Sequence, residues 1–338
     1  MPEVLPPSVT GAQAFAVPFD ITSSGGALYI EPQSAALKTR LHLKGSNWAG
    51  FQTDGCPHIL WRDATVDDYI DFLVLHKFNS VRIPLNSVLI NANSAVGGLC
   101  GSYSGMTTLD VLDDVLTRLL DAGIFALLDM HTSVVPEQNT GLWCGTASAC
   151  DFEAEAPILL AWIKLARRYC SSHLNILGAG QLVASRSPTL LIVPLHQPIH
   201  TWPHASDLHC TDLYNEPFSA TWGVGDSTNR WDLAATRLGN AVLYECPRWM
   251  IVVEGVAQHG GSWSSCSQHG GCFFGENIQG HVSHPIVLSD ESKLVLSPHV
   301  CECCALTQHL QSLTPPPRTS PTAHLPTSHL PTSHSSAT

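Results

Sequence analysis

The sequence predicts an α/β fold of the (β/α)₈ barrel type, with about six of the eight units present. From residue 41 onward, short apolar segments alternate with amphipathic helical segments, a pattern typical of parallel sheets. A doubly wound sheet would carry a glycine-rich loop after its first strand, and none follows here. Most apolar segments also end in a polar residue, as expected where a barrel builds its site at the strand ends. These residues are Asn47, Arg82, His131, Glu216, Glu254 and His299.

The first unit and the second strand follow from local signals. Residues 40–48 (RLHLKGSNW) form an apolar segment that runs into polar loop residues, which predicts a strand. Residues 65–78 predict a helix that opens on a capping box made by Thr65 and Asp68. The next strand is predicted at 79–86, with Pro84 as its terminator.

The second helix and third strand are the clearest elements in the sequence. In residues 108–123 the leucines recur on one helical face, and Gly123 is the predicted stop. Residues 124–131 (IFALLDMH) are almost continuously apolar, as expected of a parallel strand buried on both faces.

The same alternation continues into the second half of the chain. A helix is predicted at 153–169, followed by a strand that leads into Glu216. A further helix at 229–245 precedes a strand at 249–255, and the last predicted strand is 293–299. The barrel is therefore expected to occupy residues 40–300.

Two segments interrupt this pattern. Residues 181–211 contain four prolines and four histidines without a helical or strand period, and we expect an insertion or a retained intron there. Residues 301–338 repeat HLPTS and are rich in Pro, Ser and Thr, which predicts a disordered tail. Both segments also fit translated non-coding sequence in a mis-assembled gene model. Residues 1–39 are expected to be a lead-in to the barrel.

Charge and composition narrow the possible partners. The formal net charge of −12 argues against nucleic acid or an anionic membrane surface and suits a neutral ligand. The sequence has no apolar run long enough to span a membrane, and its first 20 residues do not resemble a secretory signal. We expect a monomer.

The 12 cysteines predict disulfides more readily than a metal site. Cys144 and Cys150 share one loop, and Cys266 and Cys272 share another with the same spacing. Each pair could close in an oxidising compartment, or remain as surface thiols in a reducing one. No paired CxxC or HxxxH spacing is present, so we expect no metal and no cofactor.

Seven motifs occur in an order that resembles glycoside hydrolase family 5, in particular its bacterial-type endo-β-1,4-glucanases (cellulases). They are LHLKGSNWAGF, NSVRIPLN, LLDMH, DLYNEP, RLGNAVL, IVVEGV and SPH. The resemblance covers about residues 40–300 apart from 181–211. It implies a (β/α)₈ barrel that cleaves β-linked glycans with retention of configuration, a β-glucan as partner, and secretion.

The resemblance also implies roles for individual residues. Glu216 resembles the general acid/base, and Asn215 resembles its neighbour that contacts the sugar 2-hydroxyl. Arg82 resembles the arginine that orients the nucleophile, and His131 and His299 resemble the histidines of the cleavage subsite. The candidate aromatic platforms for the sugar are Trp48, Trp143 and Trp222.

The sequence departs from the family after the sixth strand. The family's nucleophile glutamate on the seventh strand has no counterpart here, so we expect the chain to be C-terminally truncated and its hydrolysis to be impaired. Glu254 ends the adjacent fifth strand and is the strongest substitute, although a structural role at the barrel rim is the more ordinary interpretation. The alternatives are β-mannanase-type specificity and a carbohydrate-binding remnant without catalysis.

Overall fold

The computed structural model describes residues 15, 18–33, 38–58, 64–132, 142–144, 157–179, 217, 219–225, 227–256, 275 and 277–298. The strands are β1 Phe19–Ser24, β2 Ala27–Pro32, β3 Thr39–Leu41, β4 Gly45–Asn47, β5 Ser80–Asn86, β6 Phe125–Thr132, β7 Ile176–Ala179, β8 Met250–Val253 and β9 Leu294–Leu296. The α-helices are α1 Val66–Leu75, α2 Ser87–Ala92, α3 Thr108–Asp121, α4 Pro157–Tyr169 and α5 Trp231–Glu245. Short 3₁₀ helices occupy Gly98–Tyr103, Gln279–Val282 and Glu291–Lys293.

Strands β4 to β9 form one sheet whose spatial order is the order of the chain, and every neighbouring pair is parallel. Helices α1 to α5 lie in the connections between β4 and β8, and 3₁₀ turns precede β9. Parallel strands with helical crossovers in sequence order are the pattern of a (β/α)₈ barrel. The predicted fold class is confirmed, with six parallel barrel strands in the described part of the chain.

The predicted strand at 40–48 is two strands in two different sheets. β3 pairs antiparallel with β2, whereas β4 pairs parallel with β5. Asn79 holds the residues between these two strands, because its side chain accepts from the Lys44 N–H at 2.7 Å and donates to the His42 carbonyl at 2.7 Å. The chain therefore passes from one sheet to the other within residues 42–44.

Pro84 does not end its strand, contrary to the expectation, because β5 continues to Asn86. The Arg82 carbonyl accepts from the Trp48 N–H at 2.9 Å, so the backbone N–H and C=O groups of Arg82 point towards β4. The backbone of Pro84 points to the same side, but Pro84 lies beyond the partner of Asn47, where β4 has ended. The proline's missing N–H thus removes no hydrogen bond to β4.

The helix starts follow the predicted capping chemistry. Thr65 and Asp68 form the reciprocal capping box of α1, and Thr107 with Asp110 forms a second one at α3. Gly123 follows α3 with a φ of 75°, the left-handed conformation that glycine adopts at little cost. The predicted helix starting at 153 is seen from Pro157, since residues 153–156 lie outside the described part.

An N-terminal sheet of β1, β2 and β3 packs against the start of the barrel strands. Its hairpin turn is Gly25-Gly26, where both residues have positive φ. One apolar cluster joins this sheet to the barrel interior; its buried members are Phe15, Phe19, Ile21, Leu28, Leu43, Phe125, Leu127, Leu177, Met250 and Val252. The larger cluster lies between the outer faces of the strands and the helices. The sheet therefore closes the N-terminal end of the barrel.

A buried lysine ties this sheet to the last described strand. Lys293 is 1% exposed, and its Nζ binds the Asp20 carboxylate and donates to the Ile21 carbonyl at 2.7 Å. Ser23 adds a bond from its hydroxyl to the Leu294 carbonyl at 2.7 Å. Both ends of the described chain thus share polar contacts as well as an apolar core.

Two disulfides join segments that are distant in the sequence. Cys56 bonds Cys100 across a separation of 44 residues, and Cys170 bonds Cys246 across 76. Cys144 is disulfide-bonded as well. Its predicted partner, like the pair Cys266 and Cys272, lies outside the described residues.

No helix in the described part is long and apolar enough to cross a membrane. The segments 181–211 and 301–338 lie outside the described residues. The fourth barrel strand, β7, precedes the first of these segments.

Candidate functional site

The interior face of the barrel changes from apolar to polar along β6. Phe125 and Leu127 belong to the apolar cluster above the N-terminal sheet. Since side chains alternate along a strand, Asp129 and His131 face the same interior side, nearer its carboxyl end. Asp129 is fully buried and His131 is 9% exposed.

The same alternation places Arg82 inside the barrel. Its neighbours Val81 and Ile83 belong to the outer core, so Arg82 faces inward. In the sheet register Asn47 on β4 is opposite Arg82, and Arg82 is opposite Leu127, two residues before Asp129. The polar side chains at the carboxyl ends of three adjacent strands therefore lie close together.

These ends form a hydrogen-bonded group, here called the barrel-mouth cluster: Asn47, Arg82, Asp129 and His131. Arg82 Nη2 donates to Asp129 Oδ2 at 2.8 Å, and Arg82 Nη1 donates to Asn47 Oδ1 at 3.2 Å. His131 Nδ1 lies 3.3 Å from the same Asp129 Oδ2 and 3.5 Å from Arg82 Nη2. Burying a guanidinium and a carboxylate is favourable only when they are paired, and the cluster provides that pairing.

Glu254 follows β8 and continues its interior face, after Met250 and Val252 of the apolar cluster. Its side chain is fully buried, and its carbonyl accepts from Trp231 Nε1 at 3.0 Å. The carboxylate of this candidate substitute acid therefore faces the barrel interior rather than the surrounding helices.

The three candidate platform tryptophans are buried. Trp48 stacks at an angle on Tyr69, with ring centroids 4.2 Å apart, and Trp143 packs on Trp231 at 5.6 Å. Trp222 donates from Nε1 to the His284 carbonyl at 2.8 Å. A sugar platform needs an open ring face, so exposures of 3%, 0% and 0% give that role no support.

The structure brings together Arg82 and His131, two of the five candidate catalytic residues. Asn215, Glu216 and His299 lie outside the described residues. Asp129 is the residue that sequence reasoning missed. Its signal was available in the motif LLDMH, because a residue two positions before His131 in a strand shares its face.

The described residues contain no group of three His, Cys, Asp or Glu side chains that could hold a metal ion. The side chains of the barrel-mouth cluster explain why this site does not suit a metal ion. Arg82 places a permanent positive charge 2.8 Å from the only carboxylate of the cluster, where it competes with any cation.

Comparison with known proteins agrees with the fold. Residues 39–178 match the family model Cellulase (glycosyl hydrolase family 5). An endoglucanase of Paenibacillus polymyxa is 28% identical over 75% of this chain and 54% of its own length. The major extracellular endoglucanase of Xanthomonas campestris is 28% identical over 77% of this chain and 46% of its own. The chain thus spans about half the length of these curated relatives.

Solved structures show the same likeness over more of the fold. An endocellulase from Pyrococcus horikoshii in complex with cellotetraose superposes with a TM-score of 0.65 at 25% identity, covering 84% of this chain and 70% of that one. The catalytic domain of the Xanthomonas campestris endoglucanase gives 0.59 at 29% identity, over 78% and 65% of the two chains. Residues 39–178 are thus similar to the cellulase domain of glycosyl hydrolase family 5, and the chain resembles the endoglucanases of that family.

Proposed function

We propose that this protein is a retaining glycoside hydrolase that acts on internal β-1,4-glucosidic bonds of cellulose or a related β-glucan. The observation that carries the proposal is the barrel-mouth cluster, which stands at the carboxyl ends of three adjacent strands. The endocellulase that binds cellotetraose supports the substrate class, because its fold covers 84% of this chain. β-Mannan is the alternative substrate, because subsite contacts outside these strands decide the sugar.

Within this proposal Glu216 is the general acid/base and Asn215 contacts the sugar 2-hydroxyl. Arg82 and His131 act from the barrel-mouth cluster, and His299 acts as the second histidine of the cleavage subsite. Arg82 is held on two sides, by Asp129 and by Asn47, so its guanidinium has a fixed direction. A fixed positive charge at the strand ends is suited to orienting a carboxylate nucleophile.

Retaining hydrolysis needs two carboxyl groups about 5–5.5 Å apart, one to protonate the leaving oxygen and one to attack the anomeric carbon. The glutamate that would act as nucleophile is not identified among the residues that the structure describes. We propose that hydrolysis of β-glucan by this chain is impaired. The second candidate, glycan binding without hydrolysis, rests on the same observation.

The test measures the release of reducing ends from carboxymethyl cellulose and from β-mannan. Glu216→Gln is compared with Glu291→Gln, a matched substitution at an exposed position. Loss of a measurable rate in Glu216→Gln alone supports hydrolysis, and a fast wild-type rate contradicts the proposed impairment. Binding of cellotetraose without release of reducing ends supports the second candidate. If the protein neither binds cellotetraose nor releases reducing ends, both candidate functions are contradicted.

We propose in addition that the protein is secreted and acts as a monomer. Two described disulfides and the bonded Cys144 favour an oxidising compartment. The Xanthomonas relative is an extracellular enzyme by its name. Purification from medium and from cell lysate, followed by sedimentation analysis, tests the two statements separately.

A further inference from the structure

We propose that His281 is a positioning residue for the loop that follows the candidate general acid/base, that it holds this loop through Trp222, and that only its neutral ring does so. The inference rests on the proposed function only where it concerns Glu216. The contact between His281 and Trp222 stands without that function.

The loop in question begins at Pro217, directly after Glu216 in the chain. It is here called the Trp222 loop, and the structure describes it at residues 217 and 219–225. Its backbone turns back at once, because the Ala220 N–H donates to the Pro217 carbonyl at 3.1 Å. Trp222 follows two residues later and is fully buried. A contact that holds Trp222 therefore limits the movement of a short segment next to Glu216.

Trp222 is held by residues 278–286, a segment that precedes β9 and is here called the His281 turn. Trp222 Nε1 donates to the His284 carbonyl at 2.8 Å. The indole ring lies against Gly280, where any side chain would collide with it. The His281 ring meets the indole at a steep angle, with ring centroids 6.3 Å apart and planes at 77°. The loop and the turn therefore pack closely against each other.

The shape of the His281 turn depends on the protonation state of its histidine. The Ile286 N–H donates to His281 Nδ1 at 3.2 Å, and a backbone N–H only donates. Nδ1 therefore lacks a proton, so the neutral ring carries its proton on Nε2. This bond joins residues five positions apart and closes the turn. Because Ile286 is 4% exposed, solvent does not readily replace the imidazole as acceptor.

A second proton on the ring replaces the lone pair that accepts from Ile286. The bond that closes the turn is then lost, and the ring that packs on Trp222 is no longer fixed to the backbone. Burial lowers the pKa of His281 below its ordinary 6.5, in agreement with a ring that is held neutral in the fold.

No charged side chain forms an ion pair with His281 in the part of the chain that the structure describes, so its backbone bond decides its state. A cavity of about 760 Å³ adjoins the ring, and the Trp222 loop and the turn flank it. The titratable and charged side chains on these elements are Arg40, His42 and Glu291 around the cavity, His284 on the turn, and Arg230 with Asp232, which pair with each other beyond the loop.

The consequence for the site concerns the acid side of its pH range. Once His281 takes up its second proton, the Trp222 loop loses a contact that fixes it to the barrel, and Glu216 beside that loop loses its fixed place. Sugar binding and hydrolysis then fall for a reason that is separate from the titration of the carboxyl groups.

The test follows two groups in the folded, ligand-free protein by ¹H–¹⁵N spectra: the His281 ring nitrogens and the Trp222 indole N–H. Spectra from about pH 8 to about pH 4.5 bracket the ordinary histidine pKa near 6.5. We expect the neutral ring to carry its proton on Nε2. We also expect hydrogen exchange of the indole N–H, corrected for the intrinsic rate at each pH, to quicken at least about fivefold as the ring takes up its second proton.

Three results in the wild-type protein overturn the inference. One is a neutral His281 ring with its proton on Nδ1. Another is a ring that titrates without any change in exchange at Trp222. The third is a ring that stays neutral over the whole range, because the site then never meets the charged form.

Variants of His281 then test the cause. His281→Asn places an amide oxygen near the position of Nδ1 and does not titrate, so exchange at Trp222 should stay slow over the whole range. His281→Leu has no acceptor, so exchange should be fast at every pH. The matched control is His42→Asn, which removes another histidine of the same cavity and should keep the wild-type response.

If exchange in His281→Asn quickens as it does in the wild-type protein, the His281 ring is not the cause. The wild-type protein and His281→Asn decide the question where His281→Leu does not fold.

The two proposals fail in different ways. If Trp222 responds to the His281 proton but the protein neither binds nor hydrolyses cellotetraose, the control by His281 is supported and the proposed function fails. If hydrolysis is measured and its fall at acid pH is the same in the wild-type protein and in His281→Asn, the function stands and the link to Glu216 is overturned.

Discussion

Replacing Arg82 by methionine is expected to cost more stability than replacing Arg82 and Asp129 together. Arg82 is 4% exposed and Asp129 is fully buried, so Arg82→Met leaves a carboxylate without its cation in the barrel interior. Removing one partner of a buried ion pair typically costs about 3–5 kcal/mol. Replacing both by apolar side chains of similar size removes the uncompensated charge, so Arg82→Met/Asp129→Leu should recover part of that loss.

The assay is urea unfolding at neutral pH with disulfides intact, followed by tryptophan fluorescence and by far-ultraviolet circular dichroism. The control is Arg168→Met, which breaks an ion pair whose side chains are 39% and 35% exposed. That variant should lose at most about 1 kcal/mol, because solvent screens the pair. The single variant Asp129→Leu is measured as well. A double variant whose loss equals the sum of the losses of Arg82→Met and Asp129→Leu would refute the reasoning, since the buried charges would then be energetically independent.

Three further predictions concern the scaffold. Lys293→Met should lower the free energy of unfolding by about 1–3 kcal/mol in urea, because it leaves the Ile21 carbonyl without the lysine donor; an unchanged midpoint would contradict this. The double variant Cys170→Ala/Cys246→Ala should lose about 4 kcal/mol by chain entropy, since the disulfide closes a loop across 76 residues; a loss below about 1 kcal/mol in the same assay would contradict it. Burial lowers the pKa of His281 below its ordinary 6.5, so the unfolded chain takes up that proton first and stability falls as the pH drops through 6.5 towards the folded pKa. His281→Asn should reduce the fall in melting temperature between pH 7.5 and pH 5, and an identical fall in both proteins would argue against it.

Local chemistry made most of the barrel predictable. The capping box at Thr65 and the stop at Gly123 depend on residues within a few positions, so the sequence alone reveals them. The buried run of β6 is similarly local, because a parallel strand covered on both faces needs apolar residues throughout. The Gly25-Gly26 turn of the N-terminal hairpin is an equally local signal.

The remaining features depend on residues that meet only after folding. The crossing from β3 to β4 needs Asn79, which lies 35 positions beyond Lys44 in the chain. The bond between Cys170 and Cys246 has no spacing signature. Asp129 belongs to the site because β5 lies beside β6, and that adjacency is a property of the sheet.

The N-terminal sheet, which closes one end of the barrel, has a practical consequence for where a shortened protein can begin. The family match begins at residue 39, whereas the sheet that covers the interior cluster begins at Phe19. A shortened protein that starts at the match would uncover Phe125, Leu127 and Met250 to water. Such a surface invites aggregation, and loss of activity in that protein would report on solubility rather than on catalysis. The segment that matches the family model is thus shorter than the segment that packs as one folded unit.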